Sequence, residues 1–143
     1  MRDILFRGKT VSGRWAEGSL IRAGSYCCIL EDEDKVHPSD YPYLDNGLGY
    51  IDGRATPVDP ETIGQFTGLL DKNGKKIFEG DMFVYAGMIT YTVYWSENKL
   101  GFYAVDSNSN HMDRESDYLG NFYSDKCKVI GNIHDNPVTT FTY

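Results

Sequence analysis

The segment Ile89-Thr90-Tyr91-Thr92-Val93-Tyr94-Trp95 places apolar or aromatic side chains at every odd position, with Thr90 and Thr92 between them. A period of two marks a strand buried on one face, and a helix of period 3.6 has no use for it. Shorter runs of the same character lie at 82–85 and 101–105, separated from it by Ala86-Gly87 and by Ser96-Glu97-Asn98-Lys99. Three antiparallel strands on tight turns form a meander, the main part of a small SH3-like barrel.

The rest of the chain reads in the same idiom. Strands are predicted at 4–6, 14–21 and 25–30, the last two joined through Ala23-Gly24. Asp59-Pro60-Glu61-Thr62 is a helix-start signature. Gly64 and the β-formers Ile63, Phe66 and Thr67 limit it to one turn before a strand. Asn73-Gly74 predicts a type I′ hairpin turn, and Glu79-Gly80-Asp81 a second tight turn. Residues 106–117 read as a polar loop, 118–123 as a weakly pairing stretch and 127–133 as the closing strand. The longest loop is 37–60, rich in Pro, Gly, Asp and Tyr, including Asn46-Gly47. No stretch predicts a helix of three turns. Fifteen Gly and 5 Pro are too many for a helix bundle, and 11 Tyr, 7 Phe and 2 Trp too many for a disordered chain. The expected class is mainly β with little helix.

No complete catalytic motif is present. Gly68, Gly74 and Lys75 resemble a phosphate loop only loosely. Five residues separate the glycines instead of four, and Lys76 stands where the metal-binding hydroxyl is needed. Asp106, Asn108, Asn110 and Asp117 fall on positions 1, 3, 5 and 12 of a calcium loop, but His111 occupies the obligatory glycine position and Asp117 replaces the bidentate Glu. A polar β-loop is the better reading of 106–117. His37, His111 and His134 with the three cysteines contain no Cys-x-x-Cys and no closely spaced His pair, so no zinc knuckle is encoded locally. Pairing Cys28 or Cys127 with a histidine as a nucleophile has no supporting pattern. Glu79 and Asp81 read as turn acids that satisfy backbone N–H groups. The run Glu31-Asp32-Glu33-Asp34 reads as a solvated turn. The expectation is therefore no catalytic, cofactor-binding or metal-ligating residue, and no cofactor.

Charge and cysteine content narrow the partners. The formal net charge is −7, from 14 Lys plus Arg against 21 Asp plus Glu. Lys72, Lys75 and Lys76 form the one basic cluster, which disfavours a phosphate-driven nucleic-acid binder. Cys27 and Cys28 are neighbours, so on a strand one is expected inside and one outside. With Cys127 they make an odd count and no disulfide framework. A reducing compartment, the cytoplasm, is the expected setting. The first residues carry no apolar signal-peptide core, and no apolar run approaches the roughly 20 residues that span a bilayer.

The segment Pro60-Glu61-Thr62-Ile63-Gly64-Gln65-Phe66-Thr67-Gly68-Leu69-Leu70-Asp71-Lys72-Asn73-Gly74-Lys75-Lys76-Ile77-Phe78-Glu79-Gly80-Asp81 resembles the signature of the YopX family, small proteins carried mainly by phages, prophages and mobile elements. Two flanks agree: Ile4-Leu5-Phe6-Arg7-Gly8-Lys9 with Gly13-Arg14-Trp15, and Val129-Ile130-Gly131-Asn132-Ile133 with Asn136-Pro137. The resemblance implies two small β-barrel-like subdomains and makes a homo-oligomer plausible; it brings no catalytic residues. The expected division is an N-terminal β subdomain at 1–60, a strand–turn–strand at 61–80, and an SH3-like barrel at 81–143. The expected role is that of a non-enzymatic accessory protein assembling with itself or with a phage or host protein. Tyr41, Tyr43 and Tyr50 in the long loop are candidate contact residues. Nucleic-acid binding through the second barrel is the alternative, and an enzyme of unknown type the third.

Overall fold

A computed structural model describes residues 2–37, 39–40, 54–107 and 116–135. Among these, eleven strands and a few single 3₁₀ turns make up the secondary structure. The strands are β1 (Phe6–Lys9), β2 (Trp15–Ala23), β3 (Tyr26–Leu30), β4 (Ala55–Pro57), β5 (Gly64–Leu70), β6 (Lys76–Phe78), β7 (Asp81–Tyr85), β8 (Ile89–Ser96), β9 (Gly101–Asp106), β10 (Ser116–Tyr118) and β11 (Cys127–Asn132). The protein is mainly β, and no helix among the described residues is long and apolar enough to cross a membrane. The chain divides into two compact units between Phe66 and Thr67, inside β5.

In the first unit the hydrogen-bonded order is β4-β3-β2-β1-β5, each neighbouring pair antiparallel. Its core gathers Ala16, Cys27, Ile29 and Val58, with Phe6, Leu20 and Ile63 packed against them. β1 runs on past the predicted 4–6 to Lys9, and its Gly8 must lack a side chain because a Cβ there would stand 2.7 Å from the Val58 side chain. Cys27 and Cys28 are both buried, so β3 is covered on both faces and the expected outward cysteine is absent. The entry to β5 is the single turn read from the sequence. Residues Pro60–Thr62 form a 3₁₀ turn whose N-cap, Asp59, accepts from the Glu61 N–H at 3.0 Å.

In the second unit the order is β10-β9-β8-β7-β11, again antiparallel. The meander is thus present, with β11 added beside β7. Ile77, Phe83, Val93, Ala104, Leu119, Phe122 and Cys127 form the core. The Phe122 ring sits edge-on to Phe83, Tyr85 and Tyr91 at 5.3, 4.9 and 5.0 Å.

Neither sheet closes into a barrel among the described residues. In the second unit the reason is visible at both ends. The outer edge of β11 is occupied by a turn: Val129 N–H donates to the Asp71 carboxylate at 3.0 Å, and Lys72 N–H to the Cys127 carbonyl at 2.8 Å. At the other end β10 has only three residues before the chain turns into the 3₁₀ segment Leu119–Asn121, which sends Leu119 into the core.

Candidate binding surface

The segment richest in recognisable sequence turns out to be a folding device. In Asp71-Lys72-Asn73-Gly74-Lys75, Asp71 N–H donates to the Lys75 carbonyl (2.7 Å) and Gly74 N–H to the Asp71 carbonyl (3.0 Å). Gly74 has φ 80° while Asn73 is not among the positive-φ residues, so the turn is a three-residue loop closed by a glycine bulge, not type I′. The Asp71 side chain decides this. Its Oδ1 accepts from Asn73 and Lys75 N–H, both at 2.9 Å, which holds Asn73 in a right-handed conformation. Burial works against the Asp71 carboxylate, yet N–H groups of Val129, Lys75 and Asn73 outweigh it and hold its pKa below the ordinary value. Asp81 does similar work, accepting from Phe78 N–H at 2.7 Å, and Thr67 Oγ1 donates to the Ile77 carbonyl at 2.7 Å. The same turn grammar recurs in the first unit over Thr10-Val11-Ser12-Gly13-Arg14, where Thr10 Oγ1 accepts from Arg14 N–H at 3.2 Å.

A buried ion cluster lies in the first unit. Arg14 meets Glu31 in a two-pronged pair (2.7 and 2.9 Å) and also donates to Asp40 Oδ2 at 2.8 and 3.2 Å. Both carboxylate side chains are about fully buried, at 2% exposure each. Thr56 Oγ1 donates to Glu31 at 2.7 Å, and Arg54 Nε to the Glu31 carbonyl at 2.7 Å. The hydrogen bond to Glu31 raises the Arg14 pKa. Desolvation opposes ionisation of Asp40, but Arg14 and the hydroxyls of Ser12 and Thr10 hold its pKa down. Glu31 is therefore a strand-end acid with a partner and not part of a solvated turn. Its spacing from Arg14 carries no local signal, since the two stand 17 residues apart and meet only through side chains in the folded unit.

Of the candidates in the 106–117 loop, only the two flanking acids are described, and both lie near Tyr91, whose pKa is raised by burial and then by their charges. Asp106 ends β9 and Asp117 lies on β10, while Asn108, Asn110 and His111 fall outside the described residues, as do Asn46, Gly47, Tyr41, Tyr43 and Tyr50. No group of three His, Cys, Asp or Glu suited to a metal occurs among the described residues. Cys127 is buried and its thiol is pushed up to about 11, first by desolvation, then by Asp71 and Asp125. Cys28 is raised by burial and by Cys27. Neither thiol is poised as a nucleophile. Lys72, Lys75 and Lys76 sit on the β5–β6 hairpin and the start of β6, not on the meander.

What does gather is aromatic surface at the β8–β9 turn. Trp95 pairs with Phe102 across the strands, rings edge-on at 5.0 Å, and Trp95 remains 41% exposed. Leu100 stands 77% exposed in a left-handed conformation (φ 54°), which a bulky side chain rarely adopts. On the other face of these strands Tyr94, Tyr103 and Tyr118 make a row, and Lys99 Nζ lies 4.7 Å from the Tyr103 ring centroid.

Comparison with known proteins adds a family and a fold. The sequence profile of the family described as "YopX protein" matches residues 22–139. Among solved structures, the chain is similar to the crystal structure of protein EF1440 from Enterococcus faecalis. The TM-score is 0.56 with 23% identity, covering 99% of this chain and 100% of that one. A likeness at that identity concerns the fold alone. No curated protein matches the sequence.

Proposed function

The chain belongs to the YopX protein family, and we propose that it is a non-enzymatic accessory protein of the phage or prophage type. It works in the cytoplasm by holding a protein surface, another copy of itself or a partner. The observation that carries this reading is the end of the β8–β9 hairpin, where Trp95 and Leu100 face solvent beside Phe102. Trp at the centre of a rigid apolar patch is the residue type that dominates protein contacts. Backbone strain retained at an exposed Leu100 fits a side chain held out for a contact.

The strand edges support contact through side chains over contact through strand addition. Pro57 lies on the terminal strand β4, the Asp71 turn covers β11, and β10 is three residues long with Asp117 at its centre. Short edges, proline and charge are the ordinary protections against strand pairing. In the same reading the second unit is kin to the SH3-like barrels, on the strength of its meander and tight turns. The three free cysteines, all buried, support a reducing compartment.

Light scattering behind a sizing column, at tens of micromolar, tests the self-association arm. A mass above the monomer that falls to the monomer in Trp95→Ser and Leu100→Ser is expected. Affinity purification from infected cells covers the partner arm, with loss of the co-eluting protein in the same variants. A strict monomer that retains no protein overturns the proposal.

A further inference from the structure

Beyond protein contact, we infer that the opposite face of the same strand ends takes a single-stranded nucleic acid. The register sets Tyr94 opposite Tyr103 and Tyr103 opposite Tyr118, one tyrosine from each of β8, β9 and β10. Ring centroids are 6.4 and 5.6 Å apart. Since Val93 and Ala104 enter the core, their neighbours Tyr94 and Tyr103 lie on the other side of the sheet. Tyr118 is 51% exposed.

The row is fixed by its surroundings. Tyr94 donates its hydroxyl to Ser116 Oγ at 2.7 Å. The Tyr118 ring lies against Gly120, where an added Cβ would come within 2.3 Å of it, and the Gly101 position stands 3.6 Å from Tyr103 and 3.7 Å from Tyr118. Glycine on both flanks lets the rings rest on backbone, so little side-chain entropy is left to lose on binding.

Charge selects the partner. Among the described strand residues of the second unit, the acids Asp81, Asp106 and Asp117 pair in register with the core-facing side. The tyrosine face carries none; Lys99 reaches over the row, and Lys128 lies on the same face two strands beyond Tyr94, in register with Val84 and Thr90. A protein of net charge −7 thus presents an aromatic face on which none of the described strand residues is an acid. Aromatic rings stack on unpaired bases and lysines meet phosphates, which is the chemistry of single-strand recognition. A duplex keeps its bases stacked and inaccessible to the rings. With two lysines, stacking carries most of the affinity, and the salt dependence is shallow, a log–log slope of about −1.4.

Fluorescence anisotropy of labelled oligo(dT) and oligo(rU) of about 12 nucleotides, titrated with the full chain, tests this. Saturable binding is expected, weakened about ten-fold or more by Tyr118→Ala and largely kept by Tyr118→Phe. Lys99→Ala flattens the salt slope, and Trp95→Ser leaves binding unchanged, which separates this face from the protein-contact patch. Displacement by inorganic polyphosphate as effective as by unlabelled oligo(dT) overturns it, since charge alone would then suffice. No anisotropy change at low salt also overturns it. So does loss of self-association in Tyr118→Ala without any oligonucleotide binding, which assigns this face to protein.

Discussion

Arg14 and Asp71 show how much of this fold rests on single charged side chains. Removing Arg14 leaves Glu31 and Asp40 buried without their cation, so Arg14→Leu is expected to cost about 3–5 kcal/mol in urea unfolding. Lysine is no substitute, because a point charge cannot reproduce the two-pronged contact. Asp40 and Asp71 both have depressed pKa values in the folded chain. Their stabilisation is present above the unfolded carboxylate range near 4 and is lost as pH falls through the folded values. Cys127 has the opposite sense. Its raised value of about 11 means stability is full below the unfolded thiol value and declines as pH rises toward 11. Melting temperature against pH is expected to be flat between these limits, with a shallower alkaline fall in Cys127→Ala. In the native state a thiol reagent at neutral pH is expected to label none of Cys27, Cys28 and Cys127, and all three once urea unfolds the chain.

At the scale of elements, turns decide more than propensities. The connection between β7 and β8 carries positive φ at both Ala86 (52°) and Gly87 (68°), with Met88 N–H donating to the Tyr85 carbonyl at 3.0 Å. Those signs are what a type I′ turn requires. Alanine there costs about 1 kcal/mol in steric strain, so Ala86→Asn is expected to raise stability by a few tenths to 1 kcal/mol in thermal melts. The Asn73-Gly74 dipeptide by itself points to a type I′ turn, but the Asp71 carboxylate holds Asn73 out of that conformation. The meander, the single turn at Pro60–Thr62 and the β2–β3 hairpin were all legible, since each depends on residues near in sequence. Barrel closure was not, because the partner of β11 is a turn more than fifty residues away. The Arg14 cluster was illegible for the same reason, and Glu31 looked like one acid among four. The row of Tyr94, Tyr103 and Tyr118 was not legible either, because it depends on the register between three strands.

For the whole molecule, the recognisable residues and the exposed ones are different sets. Asp71, Gly74 and Asp81 hold turns and a sheet edge, whereas Trp95, Leu100 and Tyr118 stand in solvent at the far end of the meander. The 60–81 segment therefore reads as scaffold, and the proposed contact side chains lie outside that segment, though within the 22–139 span of the family match. That separation is the central claim, and the urea midpoint of Asp71→Asn beside that of the wild type tests it most directly. The substitution swaps a carboxylate accepting three backbone N–H groups for an amide that offers one oxygen. A loss of about 3 kcal/mol, lowering the midpoint by roughly 1–2 M, is the expected result. An unchanged midpoint would contradict the account, since the signature would then be kept for binding and not for folding.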